Sequence, residues 1–407
     1  MTPGHAPLAE PGVPADPSLQ PVIIAALRTP VCRAGGQLKS LRAEELLAPV
    51  LRSLLDTTGI AGEQVCDVLV GNAVGGGGNL ARHAALLAGL PVSVPGMVVD
   101  RQCGSGLDAI ALASRLLAAG GDGIYLAGGV ESISTAPLRA YPGRTPEEAP
   151  EFYTRARFVP PQFGDPDMGV AAENVARKHG ISRERQDGFA LRSHQRAIAA
   201  REAGRFDGEI LPVAVAGTTV ASDDGPRRAL GAAVLRRFPP AFVPEGTVTA
   251  GNSCFDADAA CAVVITSLRR ARELGVPGAL LVLGSDTAGV DPELLGVGAA
   301  AAAARLLERD GMKAAEVDLV EFNEAFAAQA IACLDALGID PERANLDGGA
   351  LALGHGYGAS GAVLVTRLLA QARLAAQENP GRDPLALAMI SIAGGMGTAA
   401  LFRYMRF

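Results

Sequence analysis

Tryptophan is absent from this 407-residue chain, and aromatic residues make up only 4% of it. A nucleic-acid surface built on stacked bases needs aromatic platforms, so nucleic acid is not an expected partner. Cations are also short. Lys and Arg total 36 against 43 Asp and Glu, a net charge of −7, which argues against a general polyanion binder. The 6 cysteines (Cys32, Cys66, Cys103, Cys254, Cys261, Cys333) show no Cys-x-x-Cys spacing, and the 5 histidines form no His-Glu-x-x-His pair. Structural zinc and a disulfide framework are poor readings of such a pattern, and no metal site is expected. No apolar run is long and charge-free enough to span a membrane; Ala299–Leu307 is too short. The Pro/Ala-rich N-terminus lacks the basic-then-apolar order of a signal peptide. Tyr404-Met405-Arg406-Phe407 matches no targeting tail. The expected compartment is reducing cytoplasm, with no membrane partner.

Small residues are abundant instead. The chain holds 50 glycines and is 49% hydrophobic, a composition for helices packed closely on sheets and for two or three domains. Pro21–Leu27, Val65–Val70, Val94–Val99 and Gly123–Ala127 read as strands, and Leu41–Thr57, Asn79–Leu90 and Ser105–Ala119 have helical spacing. From about residue 128 to 249 the texture changes: Pro, Arg and acids rise, and strands thin out. This stretch, with helices expected at Met168–His179 and Ser182–Ala203, reads as a large insertion over the core. Asp256–Leu268 is apolar and fits either helix or strand. The alternation then resumes, with strands at Leu280–Gly284, Leu319–Phe322, Leu385–Ile392 and Thr398–Tyr404, and helices at Leu294–Arg309, Phe326–Leu337 and Gly361–Gln371. The fold class is α/β, with a pattern that repeats weakly between the halves. The expected division is a flexible arm over 1–20, an N-terminal half over 21–127 completed by about 250–273, a loop domain over 128–249, and a C-terminal half over 274–407.

The most informative stretch is Val98-Val99-Asp100-Arg101-Gln102-Cys103-Gly104-Ser105-Gly106. A β-branched run stops at a cysteine and a helical pattern begins at once. Free N–H groups at a helix start favour thiolate over thiol, so Cys103 is expected to be an activated nucleophile. A thiol needs a base, and His355 lies in a glycine-rich turn where its imidazole can face a cleft. Asn323, between a strand and a helix, either orients a water or caps that helix.

These residues sit in eight stretches that together resemble the thiolase family. They are Arg28-Thr29-Pro30; Arg101–Gly106; Gly128–Ser132; Met168-Gly169 with Ala172–Ala176; Gly246–Asn252; Asn323–Gln329; Gly348–His355; and Gly394–Gly397. The resemblance covers nearly everything after residue 20. It implies a duplicated, five-layered αβαβα core with an inserted loop domain, and a homodimer or homotetramer. It implies acyl-CoA or CoA as substrate and no separate cofactor; an acyl carrier protein is the alternative thioester carrier. Carried over position by position, Cys103 is the nucleophile, His355 draws its proton, and Asn323 fixes a water in one oxyanion hole. The backbone N–H groups of Cys103 and Ala393 form a second hole.

The same resemblance exposes departures. The family's second cysteine, which moves the acceptor's α-proton, is replaced by Ser391, and a family glycine by Ala393. A serine hydroxyl is a far weaker acid than a thiol and needs help to serve as a base. The serine expected against pantetheine is Cys254, with Phe255 where glycine is usual, and Gly-His-Pro has become Gly354-His355-Gly356 followed by Tyr357. Met168 is a candidate for the acyl pocket, and Arg228 and Arg237, with neighbouring Arg227 and Arg236, for the CoA phosphates. Three functions follow. The first is thiolase-type transfer through a Cys103 thioester to a second acyl-CoA or to CoA. The second is an acyltransferase with a decarboxylating or O/N-nucleophile acceptor. The third is a non-catalytic acyl-binding scaffold.

Overall fold

The β-branched and alanine-rich segments form a single hydrogen-bonded sheet in the computed structural model, which describes residues 16–407. In chain order its main strands are β1 (Pro21–Arg28), β2 (Val65–Gly71), β3 (Gly96–Val99), β4 (Ile124–Glu131), β5 (Ala257–Ser267), β6 (Gly278–Gly289), β7 (Leu319–Phe322), β8 (Leu385–Ile392) and β9 (Met396–Arg406). They lie in the order β7-β8-β9-β6-β1-β5-β4-β2-β3, with Cys32–Arg33 as a tenth strand beside β5. Each half has parallel strands at its outer edge: β3, β2 and β4 in one, β7 and β8 in the other. The halves join at β1 and β6 through the pairs Val22–Leu281 and Ile23–Leu280.

The longer helices are α1 (Ala43–Thr58), α2 (Leu80–Leu87), α3 (Ser105–Ala118), α4 (Met168–Lys178), α5 (Arg183–Glu202), α6 (Gly298–Arg309), α7 (Ala327–Leu337) and α8 (Tyr357–Glu378). Three apolar clusters show the layering. One packs α1 and α2 on the outer face of the first half-sheet, and another packs α6 and α7 on the second. The third wraps α3 and α8 between the two half-sheets. The five αβαβα layers therefore belong to both halves together. Each half contributes its half-sheet, its outer helices and one central helix.

Packing corrects several sequence boundaries. The helix expected from Gly361 starts earlier, at Tyr357, so that Gly358 belongs to the first turn of α8. Gly106 allows α3 and α8 to touch: a Cβ on Gly106 would lie 2.5 Å from the Gly358 carbonyl oxygen. The helix expected over Leu294–Arg309 is broken into a 3-10 turn, Pro292–Val297, and α6, because Gly298 sits against the backbone of Met396. The ambiguous stretch after Asp256 is strand β5, buried along its whole length. Most of the arm expected over 1–20 lies outside the described residues; within them, Pro17–Leu19 forms a 3-10 turn and Gln20 donates to the Val282 carbonyl at 2.7 Å.

The insertion runs from the end of β4 to the start of β5 and carries α4 and α5. Buried charge ties it to the core. Arg28 on β1 pairs with Glu209 at 2.8 Å and with Asp223 at 2.7 Å, and Arg367 on α8 pairs with Glu209 and Asp347. Among the described residues, no helix is long and apolar enough to cross a membrane, and no cluster of His, Cys, Asp and Glu is arranged to hold a metal ion.

Candidate active site

The chain leaves β3, turns sharply and enters α3. Gln102 takes φ +48° in that turn, its N–H donating to Asp100 Oδ1 at 2.8 Å, and Ser105 Oγ accepts the Arg101 N–H at 2.8 Å. These bonds hold Cys103, half-buried, at the wall of a cavity of about 560 Å³. The end of β8 closes on the same turn, so that the Ala393 N–H points at the Cys103 sulfur. Burial nevertheless pushes this thiol up to about 12. Loss of water outweighs the helix start and the nearby N–H groups that favour the thiolate. Cys103 rests as a thiol and needs a proton acceptor.

His355 reaches the cavity from the turn before α8. Gly354 takes φ +106°, and a Cβ there would lie 2.7 Å from the Phe255 ring, so only glycine fits. The His355 N–H donates to the Phe255 carbonyl at 2.9 Å, and the Ala257 N–H donates to the His355 carbonyl at 3.1 Å. Nδ1 lies 2.7 Å from Ser360 Oγ, while buried Nε2 has no protein partner among the described residues. Burial lowers the ring to about 4, so it is neutral near pH 7. A neutral ring that gives its Nδ1 proton to Ser360 presents an Nε2 lone pair to the cavity.

Asn323 does not line this cavity. It is buried, its Nδ2 without a protein partner among the described residues, on a small hollow of about 20 Å³ shared with Gly354, Gly356 and Ser360. That volume suits one water molecule. Ser391 does line the main cavity, but its hydrogen bonds run inward. Its hydroxyl donates to the Gly296 carbonyl at 2.6 Å and accepts from the Ala299 N–H at 3.2 Å and Gln329 Nε2 at 3.3 Å. One proton and both lone pairs are engaged.

Met168, Cys254, Phe255 and Tyr357 all line the cavity, as does Ala393. Arg228 and Arg237 do not; both are exposed, and Arg228 pairs with Glu202. Cations beside the cavity wall are instead Arg33, 3.8 Å above the Phe255 ring, and Arg155, paired with Asp167 at 2.8 Å. Sequence reasoning also missed Phe242 and Phe326, which meet edge to face at 5.9 Å on the apolar side. It missed Asp256, which accepts a hydrogen bond from the Tyr357 hydroxyl at 2.7 Å. The signal was an acid directly before an apolar strand. Tyr357 takes φ +30°, a conformation disfavoured for a side chain of its size.

Comparison with known proteins places this geometry in context. The family pattern "Thiolase, N-terminal domain" matches residues 21–269, and "Thiolase, C-terminal domain" matches residues 279–404. A putative acetyl-CoA C-acetyltransferase, VraB, of Staphylococcus aureus is 43% identical over 385 residues, covering 94% of this chain and 99% of the relative. Its Staphylococcus epidermidis counterpart is also 43% identical, covering 94% and 98%. Among solved structures, a Bacillus anthracis acetyl-CoA acetyltransferase superposes with a TM-score of 0.86 at 32% identity, covering 97% of this chain and 100% of the other. Human mitochondrial 3-ketoacyl-CoA thiolase in complex with CoA gives 0.87 at 33% identity, covering 95% and 99%.

Proposed function

The chain belongs to the thiolase family, and from that premise we propose which of its groups carry the chemistry. The protein is an acyltransferase that moves acyl groups between CoA thioesters, by Claisen condensation or its reverse, thiolysis. In our reading Cys103 Sγ attacks the thioester carbonyl while His355 Nε2 takes its proton. The carbon–sulfur bond to CoA breaks, and the departing thiolate recovers that proton from His355. Negative charge on the carbonyl oxygen meets the N–H groups of Cys103 and Ala393, donors fixed in advance by the backbone. Asn323 holds a water at the second oxyanion position. The observation that carries this reading is that Cys103 and His355, whose Nε2 has no protein partner among the described residues, line one cavity.

Further parts follow from the same reading. Met168, Phe242 and Phe326 form the acyl wall, and Cys254, Phe255 and Tyr357 flank the pantetheine arm. Arg33, Arg227 and Arg228 supply cations near its phosphate end. Two copies pair through the edge strand β3, where Met97 and Val98 are each 36% exposed beside exposed Leu86 and Leu87. The site lies within reducing cytoplasm, where its thiols stay free.

Incubation with a panel of acyl-CoAs and acyl carrier proteins, followed by intact-mass measurement, tests the assignment. The expected result is one acyl mass, localised to Cys103 and absent from Cys103→Ala. Full turnover by Cys103→Ala would end the covalent reading.

A further inference from the structure

Claisen condensation needs a second proton acceptor, one that strips the α-carbon of the incoming acyl-CoA once Cys103 carries its acyl group. The polar groups lining the cavity divide clearly. Cys103 is acylated at that stage, and His355 serves the thioester exchange. The Ser391 proton and lone pairs are engaged with Gly296, Ala299 and Gln329. Asp167 pairs with Arg155 at 2.8 Å. Cys254 is a thiol driven well above its usual range by burial and by the Asp256 charge. Asp256 remains. Its carboxylate is exposed to the cavity, accepts the Tyr357 proton on Oδ1 at 2.7 Å, and leaves Oδ2 with no protein partner among the described residues.

Its placement is built in. Asp256 lies beside His355 in a parallel bridge, flanked by the bonds His355 N–H to Phe255 carbonyl and Ala257 N–H to His355 carbonyl. The Tyr357 ring stands edge-on to the imidazole at 5.3 Å. The Asp256 charge acts on the Cys103 sulfur.

We propose that Asp256, oriented by Tyr357, is the base of the acceptor step. The proposal rests on Cys103 being the acyl carrier. Asp256 Oδ2 takes the α-proton as the carbon–hydrogen bond breaks, and its electron pair becomes the enolate. The enolate carbon attacks the acyl carbonyl on Cys103, the carbon–sulfur bond breaks, and the leaving thiolate takes the proton back from Asp256. Thiolysis runs the same steps in reverse, so no other reagent is consumed. A carboxylate is a weak base in water, but an aspartate performs such an abstraction elsewhere.

The test uses the full chain, acetyl-CoA as probe, and Asp256→Asn, Asp256→Glu and Tyr357→Phe. Cys103 acylation is read by intact mass, and the acceptor step by deuterium exchange into the acetyl methyl group. Asp256→Asn is expected still to form the Cys103 acyl-enzyme while its exchange falls by about 100-fold or more. Asp256→Glu should recover part of that loss. Tyr357→Phe should lower the exchange rate about tenfold. Exchange retained by Asp256→Asn overturns the proposal. So does joint loss of acylation and exchange, which would make Asp256 a general support of the site. A parent that never acylates Cys103 overturns the underlying reading instead, and is seen before any variant is made.

Discussion

A buried imidazole held down to about 4 is a weak base, but above pH 5 it is almost always a free one. The single-turnover rate of Cys103 acylation is therefore expected to stay level from pH 8 down to about 5. An ordinary histidine would begin to lose its acceptor form near pH 6.5. Rapid-quench mass measurement across that range checks it, and an acid limb centred near 6.5 would contradict the buried neutral ring. Stability carries the same signature. In the unfolded chain His355 gains a proton below about pH 6.5, whereas in the fold it stays neutral until about 4. The unfolded state thus binds more protons in this window, and stability falls as pH falls through it. Relative to His355→Asn, the loss should reach about 3 kcal/mol by pH 4, read from urea midpoints. Glu131, raised to about 7 by burial, contributes with the opposite sign, but in both proteins alike. Ser391 makes a separate residue-scale prediction. Ser391→Ala strands the Gly296 carbonyl and the Ala299 N–H, and should cost about 1–3 kcal/mol of unfolding free energy.

At the scale of elements, the two central helices matter because both reactive turns ride on their starts. Cys103 precedes α3 by two residues and His355 precedes α8 by two. Gly106→Ala would press a methyl into the Gly358 carbonyl, where no flexible side chain can yield. The expected cost is about 1–3 kcal/mol, with a marked fall in acylation rate as the turns separate. Urea titration with the acylation assay reads both. Fall in stability without fall in rate would mean that the turns hold their spacing independently of the helices. The strands around these turns were legible in the chain: β8 is Leu385–Ile392 in both readings, and β7 is Leu319–Phe322 in both. The starts of α6 and α8 were not. Glycine there reports a close backbone neighbour from distant sequence, and local pattern has no access to that neighbour.

For the whole molecule, the network of Arg28, Glu209, Asp223, Arg367 and Asp347 joins the first strand, the insertion and the last long helix. Arg28→Met removes one cation and leaves Glu209 and Asp223 short of compensation in a buried setting. A loss of about 3–5 kcal/mol is expected, with early proteolysis in the insertion. Arg28→Lys should recover little, because one ammonium cannot reproduce the guanidinium's bonds from Nε to Glu209 and from Nη1 and Nη2 to Asp223. Urea midpoints and limited proteolysis check both variants.

The chain by itself determined its alternating strands and helices, the thiol at a strand-to-helix turn, the histidine among glycines and the family they mark. Such features depend on neighbours within one or two turns, where periodicity and backbone preference operate. The three-dimensional fold alone decided that Cys103 rests as a thiol, that the Ser391 hydroxyl is spent on Gly296, Ala299 and Gln329, and that Asp256 meets Tyr357 across 101 residues. Those outcomes turn on which distant groups exclude water and which reach within hydrogen-bond range, and both are properties of packing rather than of local sequence.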